Sequence, residues 1–202
     1  LSAHEFINGE FRWCLWLVDV NPTEIKGSSE IFSRINQVKE HRNNSTRAAT
    51  KKLADFPTLF GENRQPKSDY ILIPRHSSEN RVYIPFGFFS SDYIVSDSCL
   101  FVANATHYHF GVLNSLMHMI WVKTVCGRIK SDYRYSNELV YNNYPFPQSP
   151  TDKQKEAVEK AAQAVLDARA LFPDSSLADL YDPNTMPPAL VKAHQQLDKA
   201  VD

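Results

Sequence analysis

Between Glu10 and Val20 the run EFRWCLWLVDV concentrates aromatic and β-branched residues and stops at Asn21-Pro22, a pattern that predicts a buried strand. From Gly27 the period changes. Ser28 or Ser29 can cap, Glu30 falls in the first turn, and Ile31, Phe32, Ile35 and Val38 recur at helical spacing. A charged stretch follows as far as Leu53, so one amphipathic helix with a polar, basic far end is expected. After Phe56-Pro57 the pattern turns to strands: DYILIP at 69–74, RVYIPFGFF at 81–89 and SDYIVSDSCLFVA at 91–103, with the polar turn HSSEN after the first.

From His107 to Val125 the residues Val112, Leu113, Leu116, Met119 and Ile120 fit a helix stopped by Gly127. A polar and aromatic segment then closes on Pro145, Pro147 and Pro150, which predict a hinge. Beyond it Thr151 and Gln154 have the spacing of a capping box, and Val158, Ala161, Ala162, Val165 and Phe172 form one helical face. A short helix near Ser176–Tyr181 and a last one from Pro188 complete the tail. The expected fold is mixed α+β, with a mainly antiparallel sheet and flanking helices over 1–149 and a small helical subdomain over 150–202. On the hinge reading, residues 1–148 form most of their core without the tail.

Composition narrows the classes. At 202 residues with 43% apolar and 22% charged content, the chain can bury a real core and is neither disordered nor fibrous. Its net charge of −1 excludes a histone-like polycation, and the small basic excess lies before residue 150. Arg12, Asp19, Asp92 and Lys123 interrupt every stretch that approaches the roughly 18 to 20 apolar residues of a membrane span. The first residues lack a secretory pattern, and the chain does not open on Met, so a fragment in a reducing, cytoplasmic setting is expected. Cys14, Cys99 and Cys126 stand far apart in apolar runs, which gives neither a disulfide framework nor a zinc site.

Catalytic signatures are missing. There is no G-x-G-x-x-G, no G-x-x-x-x-G-K-[ST] and no G-x-S-x-G, and Gly totals six. His107, His109 and His118 lack the spacing and the carboxylate neighbour of a metal site, and Trp13, Trp16 and Trp121 read as core rather than as a base-stacking platform. No catalytic or metal-ligating residue is assigned.

The informative stretch is Arg128–Ser136. In an extended conformation Lys130, Asp132 and Arg134 fall on one side and Ile129, Ser131, Tyr133 and Tyr135 on the other. A cation, an anion and a forked donor in a row match base edges in the DNA major groove, where Lys or Arg donates to guanine O6/N7 and Asp accepts from cytosine N4. The same row is also what the solvated face of a half-buried strand with local ion pairs would present.

The phrases RWCLWLVD, QPKSDYILIPRHSSENRVYIP, FGVLNSLMHMIWVKTVCGRIKSDYRYS, LVYNNYPFP and SSLADLYDPNTMPPALVKAHQQLDKAVD resemble, in order and over essentially the whole chain, the C-terminal portion of MmeI-like DNA methyltransferases. These are the Type IIL restriction-modification enzymes and their methylase-only relatives. The resemblance implies a target recognition domain followed by a helical C-terminal region, with the S-adenosylmethionine-dependent adenine-N6 methyltransferase, and a nuclease where present, lying elsewhere in the parent. It implies no cofactor in this fragment, because the family's cofactor loop and N-P-P-[YF] motif have no counterpart here. Residues matching Lys130 and Asp132 would together read the base pair just beyond the methylated adenine, and the residue matching Arg134 another position. Double-stranded DNA and the parent's methyltransferase domain are the expected partners. Arg42, Arg47, Lys51, Lys52, Arg64 and Lys123 are candidates for phosphate contacts. The rival reading is a protein-interaction or dimerisation module without direct DNA readout.

Overall fold

The computed structural model describes residues 1–202 and separates Leu1–Arg12 together with Gln65–Asp202 from an intervening unit, Trp13–Arg64. Helix α1 (Ala3–Asn8) opens with a capping box between Ser2 and Glu5 and ends on Gly9, whose φ of 69° suits a residue without a side chain.

The intervening unit carries α2 (Pro22–Gly27), α3 (Ser29–Asn43) and α4 (Ala48–Lys52). The strand expected over 10–20 does not form. Trp13 is 93% exposed, and Asn21-Pro22 proves to be a helix start: the Asn21 side chain accepts from Thr23 N at 2.9 Å, with Pro22 in the first turn where its missing N–H costs nothing. The helix expected to run to Leu53 stops at Asn43, and Ser45 Oγ accepts from Arg47 N across the break. In this unit only Ile35 and Ala54 are buried.

In the larger unit YILIP becomes β1 (Tyr70–Pro74), followed by β2 (His76–Ser77), β3 (Gly87–Phe89) and β4 (Cys99–Ala103). Strand β1 is central, antiparallel to β3 on one side and to β4 on the other. Buried on both faces, it reads as an unbroken apolar run instead of an alternating one. The strands expected at 81–89 and 91–103 shorten to β3 and β4. Tyr83, Ile84 and Phe86 are buried without joining the ladder, and Pro85 has no N–H to give it. A second antiparallel sheet combines β2 with β5 (Gly127–Ile129) and β6 (Asp132–Arg134), in the order β2-β6-β5.

The apolar run 107–125 is two helices, α5 (His107–Leu113) and α6 (Leu116–Val125). Asn114 and Ser115 make the break: Asn114 Nδ2 donates back to Phe110 O, and Ser115 Oγ caps α6 by accepting from His118 N. The tail follows its sequence pattern closely. Helix α7 (Asp152–Ala170) begins with the Thr151–Gln154 box, and α8 (Leu177–Leu180) and α9 (Pro188–Val201) follow.

The hinge reading is corrected by the core. Val158, Ala162 and Val165 of α7 and Leu190 and Leu197 of α9 are buried in one apolar cluster with Ile71, Ile73, Phe86, Phe110, Leu113, Met119 and Tyr135. Pro145, Pro147 and Pro150 therefore lead the chain around a shared interior. A Cβ on Gly111 of α5 would stand 2.6 Å from Val158 Cγ1, 3.2 Å from Leu197 Cδ1 and 3.3 Å from Ala162 Cβ. Helix propensity alone would make Gly111→Ala stabilising by about 1 kcal/mol. The close approach reverses the sign, and urea denaturation should show a loss of about 1 to 3 kcal/mol. No helix is long and apolar enough to cross a membrane.

Candidate nucleic-acid interface

The segment 127–134 is a hairpin. Ile129 pairs with Asp132, Arg128 with Tyr133 and Gly127 with Arg134, which leaves Lys130 and Ser131 as a two-residue turn. The single extended edge expected for Lys130, Asp132 and Arg134 is thus corrected: the chain reverses at Lys130, whose φ is 55°. Asp132 and Arg134 do share the exposed face of β6, with Tyr133 buried between them on the other face. Lys130 projects from the tip. A lysine in the left-handed region costs on the order of 1 to 2 kcal/mol, so the surroundings must hold it there.

Those surroundings are specific. Arg128 Nη1 donates to Ser131 O at 2.7 Å across the turn, while its guanidinium lies 4.1 Å from the Tyr133 ring centroid and 4.0 Å from Glu79 Oε2. From the loop after β2, Glu79 N donates to Asp132 Oδ1 at 3.1 Å. Burial pulls Arg81 below its usual range, opposed by the charges of Asp132 and Asp182, and its Nη1 donates to Ser77 Oγ at 3.4 Å. Strand β2 runs beside β6 with His76 opposite Arg134 and Ser77 opposite Tyr133. Glu79, Arg81 and Arg128 escaped the reading of the sequence. Glu79 lies in the polar turn HSSEN with Arg81 just after it, and Arg128 opens the stretch already singled out, but nothing local says that these segments meet.

The remaining candidates divide between the two units. Lys123 is exposed on α6 of the larger unit. In the intervening unit Lys51 and Lys52 are exposed in the last turn of α4 and Arg47 at its start, and Arg64 pairs with Glu62 at 2.6 Å. Arg42 is different. Its Nη1 donates to Leu53 O and Phe56 O at 2.9 Å each and its Nη2 to Leu59 O at 2.8 Å, which ties the end of α3 to the following loop. Those donors are committed to the protein's own carbonyls, a structural role that competes with the phosphate role expected from sequence.

The site is thus set on two antiparallel sheets flanked by helices, and the charged β5–β6 hairpin supplies two of the three strands of the second sheet. Residues 1–148 match the family described as MmeI, target recognition domain, and residues 150–202 the one described as MmeI, C-terminal domain; the chain belongs to these families. It is 43% identical over all 202 residues to "DNA methyltransferase A" of Bacillus subtilis (strain 168), covering 23% of that protein. Its structure matches that of the Type IIL restriction-modification enzyme MmeI, solved in complex with DNA, at a TM-score of 0.96 and 47% identity, over all of this chain and 27% of that one. The chain thus spans about a quarter of the length of these relatives.

Proposed function

We propose that this chain is the sequence-specific, double-stranded DNA recognition module of a DNA adenine-N6 methyltransferase of the restriction-modification type, and that it positions the target for a catalytic domain elsewhere in the parent. The observation that carries this reading is the β5–β6 hairpin, a braced and exposed element bearing Lys130, Asp132 and Arg134 within a chain of the MmeI target recognition family. A two-stranded ribbon fits the major groove, where side chains reach base edges that distinguish all four pairs. For S-adenosylmethionine, the sequence carries no glycine-rich loop of the kind that cradles such a cofactor. We assign the cofactor to the parent's methyltransferase domain, together with any nuclease activity.

Lys130 donates to guanine O6/N7 and Asp132 accepts from cytosine N4 of the pair just after the target adenine, with guanine on the methylated strand. The bent hairpin supports this sharing, because a side chain at the tip and one at the start of β6 approach a pair from different positions. Arg134 reads a purine through N7 at another position, and Arg47, Lys51, Lys52, Arg64 and Lys123 supply phosphate contacts. The test uses the full-length parent, with methylated sites mapped. Lys130→Glu with Asp132→Arg should reverse the orientation of the last pair, and either change alone should cost about 1 to 3 kcal/mol at that pair. Lys130→Gly adds a control, since glycine relaxes the turn while removing the donor: discrimination should fall with folding stability held or raised. An unchanged last base would reduce these residues to a solvated strand face. The rival reading, a protein-interaction module, draws on the exposure of Trp13, Phe56 and Phe60, and predicts duplex DNA binding that is absent or insensitive to salt.

A further inference from the structure

Resting on the recognition reading above, we propose that His76 shares with Arg134 the reading of one base pair. His76 is exposed on β2 and stands directly opposite Arg134 in the antiparallel register, so the two side chains emerge from the same face of the sheet. On the other flank of Arg134 the register partner is Gly127, which has no side chain. His76 is therefore the one side chain directly opposite Arg134 on that face, with the apolar Ile129 its diagonal neighbour on β5. Its neighbour Ser77, opposite Tyr133, is buried with that tyrosine, which fixes which way β2 presents His76.

Chemistry favours a shared pair, and side chains abreast on adjacent strands start only about 4.8 Å apart, near enough for two long side chains to converge on one pair. Arg134 brings only donors, as a fork suited to purine O6 and N7, whereas a neutral imidazole brings one donor and one acceptor. Such a ring can accept from the exocyclic amine of the partner base or donate to its carbonyl, complementing an all-donor neighbour. The arrangement parallels Lys130 with Asp132, but it is assembled from two segments distant in sequence.

The experiment maps methylated sites for the full-length parent carrying His76→Ala, His76→Phe or Arg134→Ala, on DNA with the recognition site randomised one position at a time. His76→Ala and His76→Phe should each relax base preference about 5- to 100-fold at the position that Arg134→Ala relaxes. The pair governed by Lys130 and Asp132 should be unaffected, and the salt dependence of binding unchanged. Retained preference in His76→Phe would overturn the inference, because a ring that merely props Arg134 would serve as well. Loss of affinity uniform across sequences with a shallower salt slope, or relaxation at some other position, would overturn it too. The Lys130→Glu, Asp132→Arg variant runs in parallel. If it switches specificity while His76→Ala does nothing, only this inference falls; if neither alters specificity, the recognition reading falls with it.

Discussion

Removing Thr151–Asp202 is expected to leave a chain that no longer unfolds cooperatively. Helices α7 and α9 contribute Val158, Val165, Leu190 and Leu197 to the shared interior, each at 3% exposure or less. Full burial of such a side chain contributes about 1.5 to 3 kcal/mol, so the four together approach the 5 to 15 kcal/mol by which a whole domain is stable. Polar ties add to this. Arg169 of α7 donates to Phe86 O at 2.6 Å and to the Tyr181 hydroxyl at 2.7 Å, and Asp198 of α9 accepts from Leu116 N at 2.7 Å and from the Tyr83 hydroxyl at 2.6 Å. Deletion would strip these partners from Phe86, Leu116 and Tyr83 while uncovering Phe110 and Leu113. Urea denaturation followed by tryptophan fluorescence checks it. A sharp transition from residues 1–150 alone would mean that the tail is an accessory and that the prolines do act as a hinge.

Acid should destabilise the intact chain well before its carboxylates protonate. Burial drives both His118 and His194 down to about 3 from an ordinary value of 6.5, and the Arg169 cation further disfavours a charge on His194. Each imidazole is neutral in the folded chain. His118 Nε2 is 2.9 Å from the Tyr135 hydroxyl with the Tyr144 ring edge-on, and His194 stacks on Tyr83 at 3.9 Å with its Nε2 2.8 Å from the Tyr181 hydroxyl. Because the folded values lie below the unfolded one, the unfolded chain takes up more protons between them. The stabilisation is complete above pH 6.5 and is lost as pH falls toward 3. At pH 5 each histidine costs about 2 kcal/mol, or about 4 together. Urea midpoints at pH 7 and pH 5 measure the difference, and His118→Gln should remove about half of it. Equal midpoints at the two pH values would mean that the imidazoles are not held neutral in the interior.

The sequence carried the elements whose signals are local. Helix α7 follows from a capping box and a 3.6-residue apolar period, both contained in the segment itself, and β1 from an apolar run between polar turns. The run at 10–20 had equal strand propensity but no ladder to join, so its aromatic residues lie largely in solvent. The hairpin was hidden for the opposite reason. Lys130-Ser131 has none of the glycine-containing pairs that mark a two-residue hairpin, and its backbone reverses where Arg128, Tyr133 and Glu79 hold it.

What the sequence determined by itself is the order of chemistry along the chain: Lys130, Asp132 and Arg134 in one short segment, a capped helical tail, and apolar runs sufficient for a core. Only the tertiary structure decided that Lys130 stands at a tip, that Arg42 serves the chain's own carbonyls, that His76 lies beside Arg134, and that the tail shares the core of the strands. Capping and periodicity act within a few residues and can be read along a line. Register, the sharing of donors and the filling of an interior depend on which distant segments meet, and that is settled by the burial of the whole chain at once.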